Sequence, residues 1–134
     1  MATRRRWRMK FAEAFLGLAQ ALREQSSFRV HLPAGGIVLV LAAVLRCSPL
    51  EWCSLIACIA GVFAAEIFNS SLETLFHALD DDTKNRMRGC LDQAAAAVLV
   101  ISTAALVIGM VIFVPKLLAL VAKVTTAGSF HNNF

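Results

Sequence analysis

Three apolar stretches dominate the chain, and polar or turn-forming residues separate them. Gln93 to Pro115 contains no Asp, Glu, Lys or Arg, and as a helix it is long enough to cross the roughly 30 Å hydrocarbon core of a bilayer. Cys53 to Leu79 is equally long but is interrupted by Glu66 and Glu73, whereas Leu32 to Leu45 is short and needs flanking residues to complete a crossing. The pattern predicts an all-α membrane protein with three transmembrane helices.

We place these transmembrane helices at residues 30–48, 52–79 and 92–122. Ser48-Pro49 ends the first crossing, and the Pro-Ala-Gly-Gly run at residues 33–36 predicts a bend where the chain turns from the surface into the bilayer. The run at residues 80–83 is a cap signal, with Asp82 or Thr83 opening a short segment that leads through Asp92 into the third crossing. Residues 1–124 then form one integral-membrane domain, and residues 125–134 a frayed tail.

Residues 6–28 have the pattern of an amphipathic helix rather than of a crossing. Aromatic and aliphatic side chains recur on one helical face, opposite polar and basic ones. The apolar face consists of Trp7, Phe11, Phe15, Leu18 and Leu22. We expect this helix to lie in the membrane interface, with its basic end at anionic headgroups, and the open alternative is a helix packed on a soluble domain. Glu13 interrupts the apolar core that a cleaved export signal would need.

Composition and charge agree with a membrane protein. The chain of 134 residues is 58% hydrophobic with a mean hydropathy of +0.68, which is too apolar for an ordinary soluble domain. Much of the net charge of +4 comes from the arginines and the lysine at positions 4–10, which favours a cytoplasmic N-terminus. Three crossings then put the C-terminus outside, although Lys116 and Lys123 argue against that placement. The four cysteines lack the spacing of a metal or redox site, and we expect no nucleic acid partner.

A polar stripe marks the second crossing. At about 100° per residue, Glu66, Asn69, Ser70 and Glu73 fall on one face of a helix, and His77 extends it, as does Asp80. Ionisable groups at membrane depth are costly and by default indicate a functional site. The alternative is structural: the carboxylates specify helix packing, and Asn69 joins helices with a strength on the order of 1 kcal/mol.

This stripe carries a family resemblance. At Glu66-x-x-Asn69-Ser70-x-x-Glu73, followed by Asp92 and the Ala-rich run at residues 94–97, the chain resembles the small prokaryotic membrane diacylglycerol kinases and undecaprenol kinases. The resemblance covers residues 6 to 118. It implies a homotrimer in the bacterial cytoplasmic membrane, with a surface helix and three transmembrane helices per protomer. It also implies composite sites at the cytoplasmic interface that transfer a phosphoryl group from Mg-ATP to a lipid hydroxyl.

The resemblance also implies roles for individual residues. Glu66 occupies the position of the general base, and Asn69 would orient that carboxylate or a substrate oxygen. Glu73 corresponds to the metal-ligating glutamate, as suits a hard cation that prefers oxygen ligands. Asp92 and Arg6 match residues that contact the nucleotide.

Three positions depart from the family pattern. A second metal-ligating glutamate is replaced by Gln25, with Glu24 adjacent as a tentative substitute. The lysine before the nucleotide-contacting aspartate is Leu91, and His77 stands where aspartate is more common. Compensating positive charge for the nucleotide is available at Lys84, Arg86 and Arg88.

The leading hypothesis is therefore an ATP-dependent lipid kinase that converts diacylglycerol to phosphatidic acid. Undecaprenol is the alternative substrate, because the segment from Phe28 to Leu32 looks more like that of undecaprenol kinases. The alternative of another class is a catalytically weakened or non-enzymatic trimeric membrane protein that uses the polar stripe as a hydrogen-bonded seam.

Overall fold

The computed structural model describes residues 2–25 and 27–131, and the side chains of residues 6–23, 25 and 27–126. Four helices make up this part of the chain: α1 (Ala2–Glu24), α2 (Phe28–Val44), α3 (Pro49–His77) and α4 (Asp81–His131). The all-α class predicted from the hydropathy pattern is therefore confirmed.

Two of these helices are long and apolar enough to cross a membrane, namely α3 and α4. The 17 residues of α2 fall short of a crossing by themselves, and the count rises to three if α1 and α2 together form one bent span. The two helices are inclined by 100° to each other. The large apolar side chains of α1 are exposed, with Trp7, Phe11 and Phe15 each more than half accessible, as an interfacial helix requires.

The predicted bend at residues 33–36 is wrong, because α2 continues through it and the chain turns between Glu24 and Phe28 instead. Pro33 is the sixth residue of α2, so its missing N–H forfeits only the bond to the carbonyl of Arg29. Gly35 has no positive φ, and it is buried in a close helix contact. A Cβ atom at that position would lie 3.5 Å from Cγ2 of Ile59 on α3, which is an ordinary van der Waals distance, so this glycine lies in the α2–α3 contact and does not bend the helix.

The connection from α2 to α3 combines two capping motifs. The backbone N–H of Cys47 donates to the carbonyl of Ala42 at 2.9 Å, and Arg46 has a left-handed φ of 50°, which together form a Schellman-type end. Ser48 then opens α3 with a capping box: its N–H donates to Oε2 of Glu51 at 2.6 Å, and its Oγ accepts the Glu51 N–H at 3.4 Å. The predicted end of the first crossing at Ser48-Pro49 agrees with this turn.

The start of α4 is capped by Asp80, slightly earlier than the predicted Asp82 or Thr83. The Asp80 carboxylate accepts the backbone N–H of Thr83 at 3.0 Å and its hydroxyl at 2.8 Å. These bonds from Thr83 hold the pKa of Asp80 below its ordinary value. One continuous helix follows, and it includes the stretch from Thr125, where a frayed tail was expected, as far as His131.

The most extensive helix contact joins α3 to α4, and α2 packs against α3. At one end of the bundle, a small core joins all three helices through Ala42, Leu55, Ile112 and Phe113. Close to that core, Nζ of Lys116 lies 3.1 Å from Oε2 of Glu51, which supplies a counter-charge for a lysine inside a long apolar helix. At the other end, the ring of Phe28 meets Phe63 edge-on at a centroid distance of 5.4 Å.

Candidate active site

The polar stripe lies on α3 and changes from buried to exposed along the helix. Glu66 and Ser70 are 7% and 4% exposed, Asn69 is half-buried, and Glu73 and His77 are exposed. A buried carboxylate needs a hydrogen-bonding partner, because desolvation of an unpaired charge costs several kcal/mol, on the order of the stability of a whole domain. Glu66 therefore requires a hydrogen-bonding partner on a neighbouring element.

That partner is His31, one turn into α2. Nε2 of His31 lies 3.0 Å from Oε1 of Glu66, and the side chains are 26% and 9% exposed. The contact joins positions 35 residues apart and uses one of the two carboxylate oxygens. Oε2 of Glu66 has no hydrogen bond within the described part of the chain, so it can accept a proton from a bound hydroxyl.

Asn69 is bonded to Glu73 rather than to Glu66. Its Nδ2 donates to Oε1 of Glu73 at 2.8 Å, across one helical turn, because side chains four residues apart are neighbours on a helix. Oδ1 of the same amide is buried and has no partner among the described residues. A carboxylate is a ligand that Mg²⁺ prefers, so Glu73, which is exposed and held in place by Asn69, fits a magnesium ion by its chemistry.

The other predicted site residues lie on different helices. Arg6 on α1 and Asp92 on α4 are exposed, and neither makes a hydrogen bond or an ion pair with Glu73 within the described side chains. Lys84 lies 3.6 Å from Asp81 one turn earlier on α4, a surface pair of little energetic weight. Within residues 6–23, 25 and 27–126, no three His, Cys, Asp or Glu side chains converge as a metal site.

The tentative second metal ligand, Glu24, stays a prediction. The Glu24 side chain lies outside the described residues. Gln25 is half-buried at the break between α1 and α2, where its N–H donates to the carbonyl of Ala21 and its own carbonyl accepts the N–H of Phe28. Two backbone hydrogen bonds therefore fix the main chain of Gln25, which is the position where the family resemblance implies a glutamate.

Sequence reasoning missed His31. Of the histidines, only His77 is singled out by the sequence pattern, since it extends the stripe on α3. His77 is exposed at the end of that helix and stacks edge-on against Phe76 at 6.4 Å. The available signal was the position of His31 at the start of an apolar segment, since an ionisable side chain there needs a partner on a neighbouring helix.

An apolar groove runs from His31 between α2, α3 and α4. Its volume is about 480 Å³, and aliphatic and aromatic side chains make up most of its wall. Ser102 contributes a hydroxyl that is buried and has no partner within the described part of the chain. The groove therefore has a polar end at His31, whose imidazole bonds Glu66 just beyond the groove lining, and an apolar interior that suits a hydrocarbon chain.

Helices long and apolar enough to cross a membrane, together with a stripe of carboxylates on one of them, define a class, that of helical membrane proteins with a polar site, and comparison with known proteins identifies the family. The family described as prokaryotic diacylglycerol kinase matches residues 12–113. The chain belongs to this family and is a lipid kinase.

Two characterised relatives are similar over most of the chain. An undecaprenol kinase from Bacillus subtilis is 30% identical over 107 residues, which is 80% of this chain and 87% of that protein. A diacylglycerol kinase from Synechocystis is 27% identical over 113 residues, which is 84% of this chain and 65% of that protein. No solved structure is significantly similar to the chain.

Proposed function

We propose that this protein transfers the γ-phosphoryl group of ATP to the hydroxyl of a membrane lipid alcohol, with Glu66 as the general base. One observation carries the assignment. Glu66 is a carboxylate that is 7% exposed, it is bonded through one oxygen to His31, and its other oxygen is free within the described part of the chain. A structural role would favour a carboxylate whose oxygens are both satisfied.

The reaction needs little covalent chemistry from the protein. The lipid hydroxyl gives its proton to Oε2 of Glu66, and its oxygen forms a bond to the γ-phosphorus of ATP. The bond from that phosphorus to the bridging oxygen breaks, and ADP leaves with the electron pair. Glu66 then returns its proton to water, which completes the cycle.

Glu73 would hold the magnesium ion that accompanies ATP. Asn69 donates from Nδ2 to Oε1 of Glu73 and so fixes the orientation of that carboxylate. The ion supplies neutralisation of triphosphate charge. Arg6, Lys84 and Asp92 are the proposed contacts of the nucleotide. Arg6 and Asp92 make no hydrogen bond or ion pair with Glu73 within the described side chains, and the family resemblance implies a homotrimer, so we propose that sites are completed between copies of the chain.

Two lipid alcohols are candidate substrates. The family description and the Synechocystis relative name diacylglycerol, whereas the Bacillus relative names undecaprenol. These similarities are of comparable extent, so they support the two substrates about equally. The groove of about 480 Å³ would take part of the hydrocarbon of either lipid, with the hydroxyl at the polar end.

The site would face the cytoplasm, where ATP is available. The basic cluster at positions 4–10 supports a cytoplasmic N-terminus by the positive-inside rule. With three crossings the C-terminus is then outside the bacterial cytoplasmic membrane. Glu51 pairs with Lys116, which lowers the cost of placing that lysine near the outer end of α4.

Purified protein in vesicles tests the proposal. Vesicles with diacylglycerol and vesicles with undecaprenol receive ATP labelled at the γ-phosphate, with and without Mg²⁺, and the lipids are extracted and separated. We expect a magnesium-dependent labelled product from at least one lipid. A folded, trimeric protein that labels neither lipid at saturating magnesium would instead support the non-enzymatic alternative.

A further inference from the structure

His31 lies on α2, outside the polar stripe, and it contacts Glu66 of the stripe. This contact points to a role for a residue on a second helix. Glu66 needs a fixed orientation, since a general base must stand within hydrogen-bond reach of the proton that it removes. On α3 itself, Asn69 is occupied with Glu73 and so does not orient Glu66. His31 is the hydrogen-bonding partner of Glu66 within the described side chains.

The packing of α2 on α3 holds His31 in place. One turn before His31, Phe28 is 1% exposed and its ring packs edge-on against Phe63, which lies one turn before Glu66. One turn after His31, Gly35 is buried against Ile59. The imidazole therefore lies between two contacts of the same helix pair, and a side chain supported in this way loses little freedom on forming a bond.

We infer that His31 is a positioning residue for Glu66: it donates from Nε2–H to Oε1 and thereby leaves Oε2 aimed at the lipid hydroxyl. The inference rests on the proposed function. It adds that the base is a two-residue unit shared by α2 and α3 and located at the polar end of the groove. The role of His31 is limited to Glu66, and it includes no contact with the nucleotide or with magnesium.

Three variants test this role. His31→Leu removes the donor at similar volume, and His31→Gln keeps an N–H donor near the position of Nε2. His31→Asn is too short to reach Glu66, and it replaces the leucine variant if that variant does not assemble. Thr103→Val is the matched control, because it removes a side-chain hydrogen bond, from Oγ1 to the carbonyl of Leu99 at 2.7 Å, at similar volume from an exposed residue of α4 outside the site.

The measurements are kcat, the KM values for lipid and ATP, the magnesium dependence and the thermal stability in detergent. His31→Leu removes a hydrogen bond to a charged group, and we expect this loss to lower kcat by roughly 10- to 100-fold. The two KM values and the magnesium dependence should be unchanged. His31→Gln should restore kcat to within about threefold of the wild type, since its amide still donates to Glu66. Thr103→Val should have the kcat and KM values of the wild type.

Three outcomes would overturn the role of His31. In the first, the leucine variant keeps the full kcat, and in the second, the glutamine and leucine variants lose the same amount of kcat. A loss that appears only as lower thermal stability in all three variants would also contradict it, since that pattern indicates packing alone. The wild-type protein separates this inference from the proposed function: an inactive wild type overturns both, whereas an active wild type with insensitive variants overturns only the role of His31.

Discussion

Replacing Glu66 by glutamine removes the base while changing little else. Glutamine has nearly the same shape, and its amide oxygen can still accept the bond from His31 at about 3.0 Å. Because the side chain is 7% exposed, removal of a buried carboxylate should maintain or raise the stability of the fold. Loss of a general base typically lowers the rate by about 10²- to 10⁴-fold, which corresponds to about 3 to 5 kcal/mol in the activation barrier.

The assay is lipid phosphorylation in vesicles under saturating ATP and magnesium, alongside nucleotide binding by the same preparation. We expect Glu66→Gln to lose turnover and to keep ATP binding. Glu51→Gln is the matched control, since Glu51 lies at the opposite end of α3 and pairs with Lys116. Full turnover of Glu66→Gln, or equal losses in both variants, would refute the assignment of the base.

Four further changes test other parts of the account. Glu73→Gln should raise the magnesium requirement and weaken ATP binding together, and an unchanged magnesium titration would indicate a structural Glu73. Gln25→Glu adds an anion where the family has one, so magnesium should act at lower concentration and turnover should rise; a change in oligomeric state without a change in activity would favour the non-enzymatic alternative. Arg46→Gly should stabilise the fold by about 1 kcal/mol in reversible unfolding, because glycine adopts the left-handed φ of 50° without strain, and a destabilised variant would contradict this. The pKa of Asp80 is lowered in the fold, so its contribution to stability is present above its unfolded pKa and is lost as the pH falls through the folded pKa. Asp80→Asn should therefore reduce the loss of stability at acid pH. An unchanged dependence of stability on pH would contradict this.

Hydropathy and helical periodicity were sufficient to predict the helices, the amphipathic nature of α1 and the stripe on α3. These features depend on side-chain pattern along one element, which is a local property. The bend was misplaced for a local reason as well: proline and glycine at positions 33–36 are typical of a turn, but Pro33 lies within α2, and Gly35 has no positive φ and faces Ile59. A pattern alone does not distinguish a glycine in a turn from a glycine in a helix contact.

The partners of the stripe could not be predicted, because they depend on how two helices meet. His31 and Glu66 are 35 positions apart, and only the packing of α2 on α3 brings them to 3.0 Å. Asn69 had two carboxylates within reach of one helical turn, and the structure pairs it with Glu73. The roles of Arg6 and Asp92 stay predictions, since both are exposed on helices that do not contact the stripe through described hydrogen bonds.

The most direct test of lipid phosphorylation is the stoichiometry of transfer by the wild-type protein. In vesicles that contain diacylglycerol or undecaprenol, ADP release and labelled lipid product are measured in the same samples over time. We expect one molecule of ADP to be released for each lipid molecule phosphorylated, and no ADP to be released in vesicles without a lipid alcohol. ADP release that does not depend on lipid, or the absence of both products with either lipid, would contradict it.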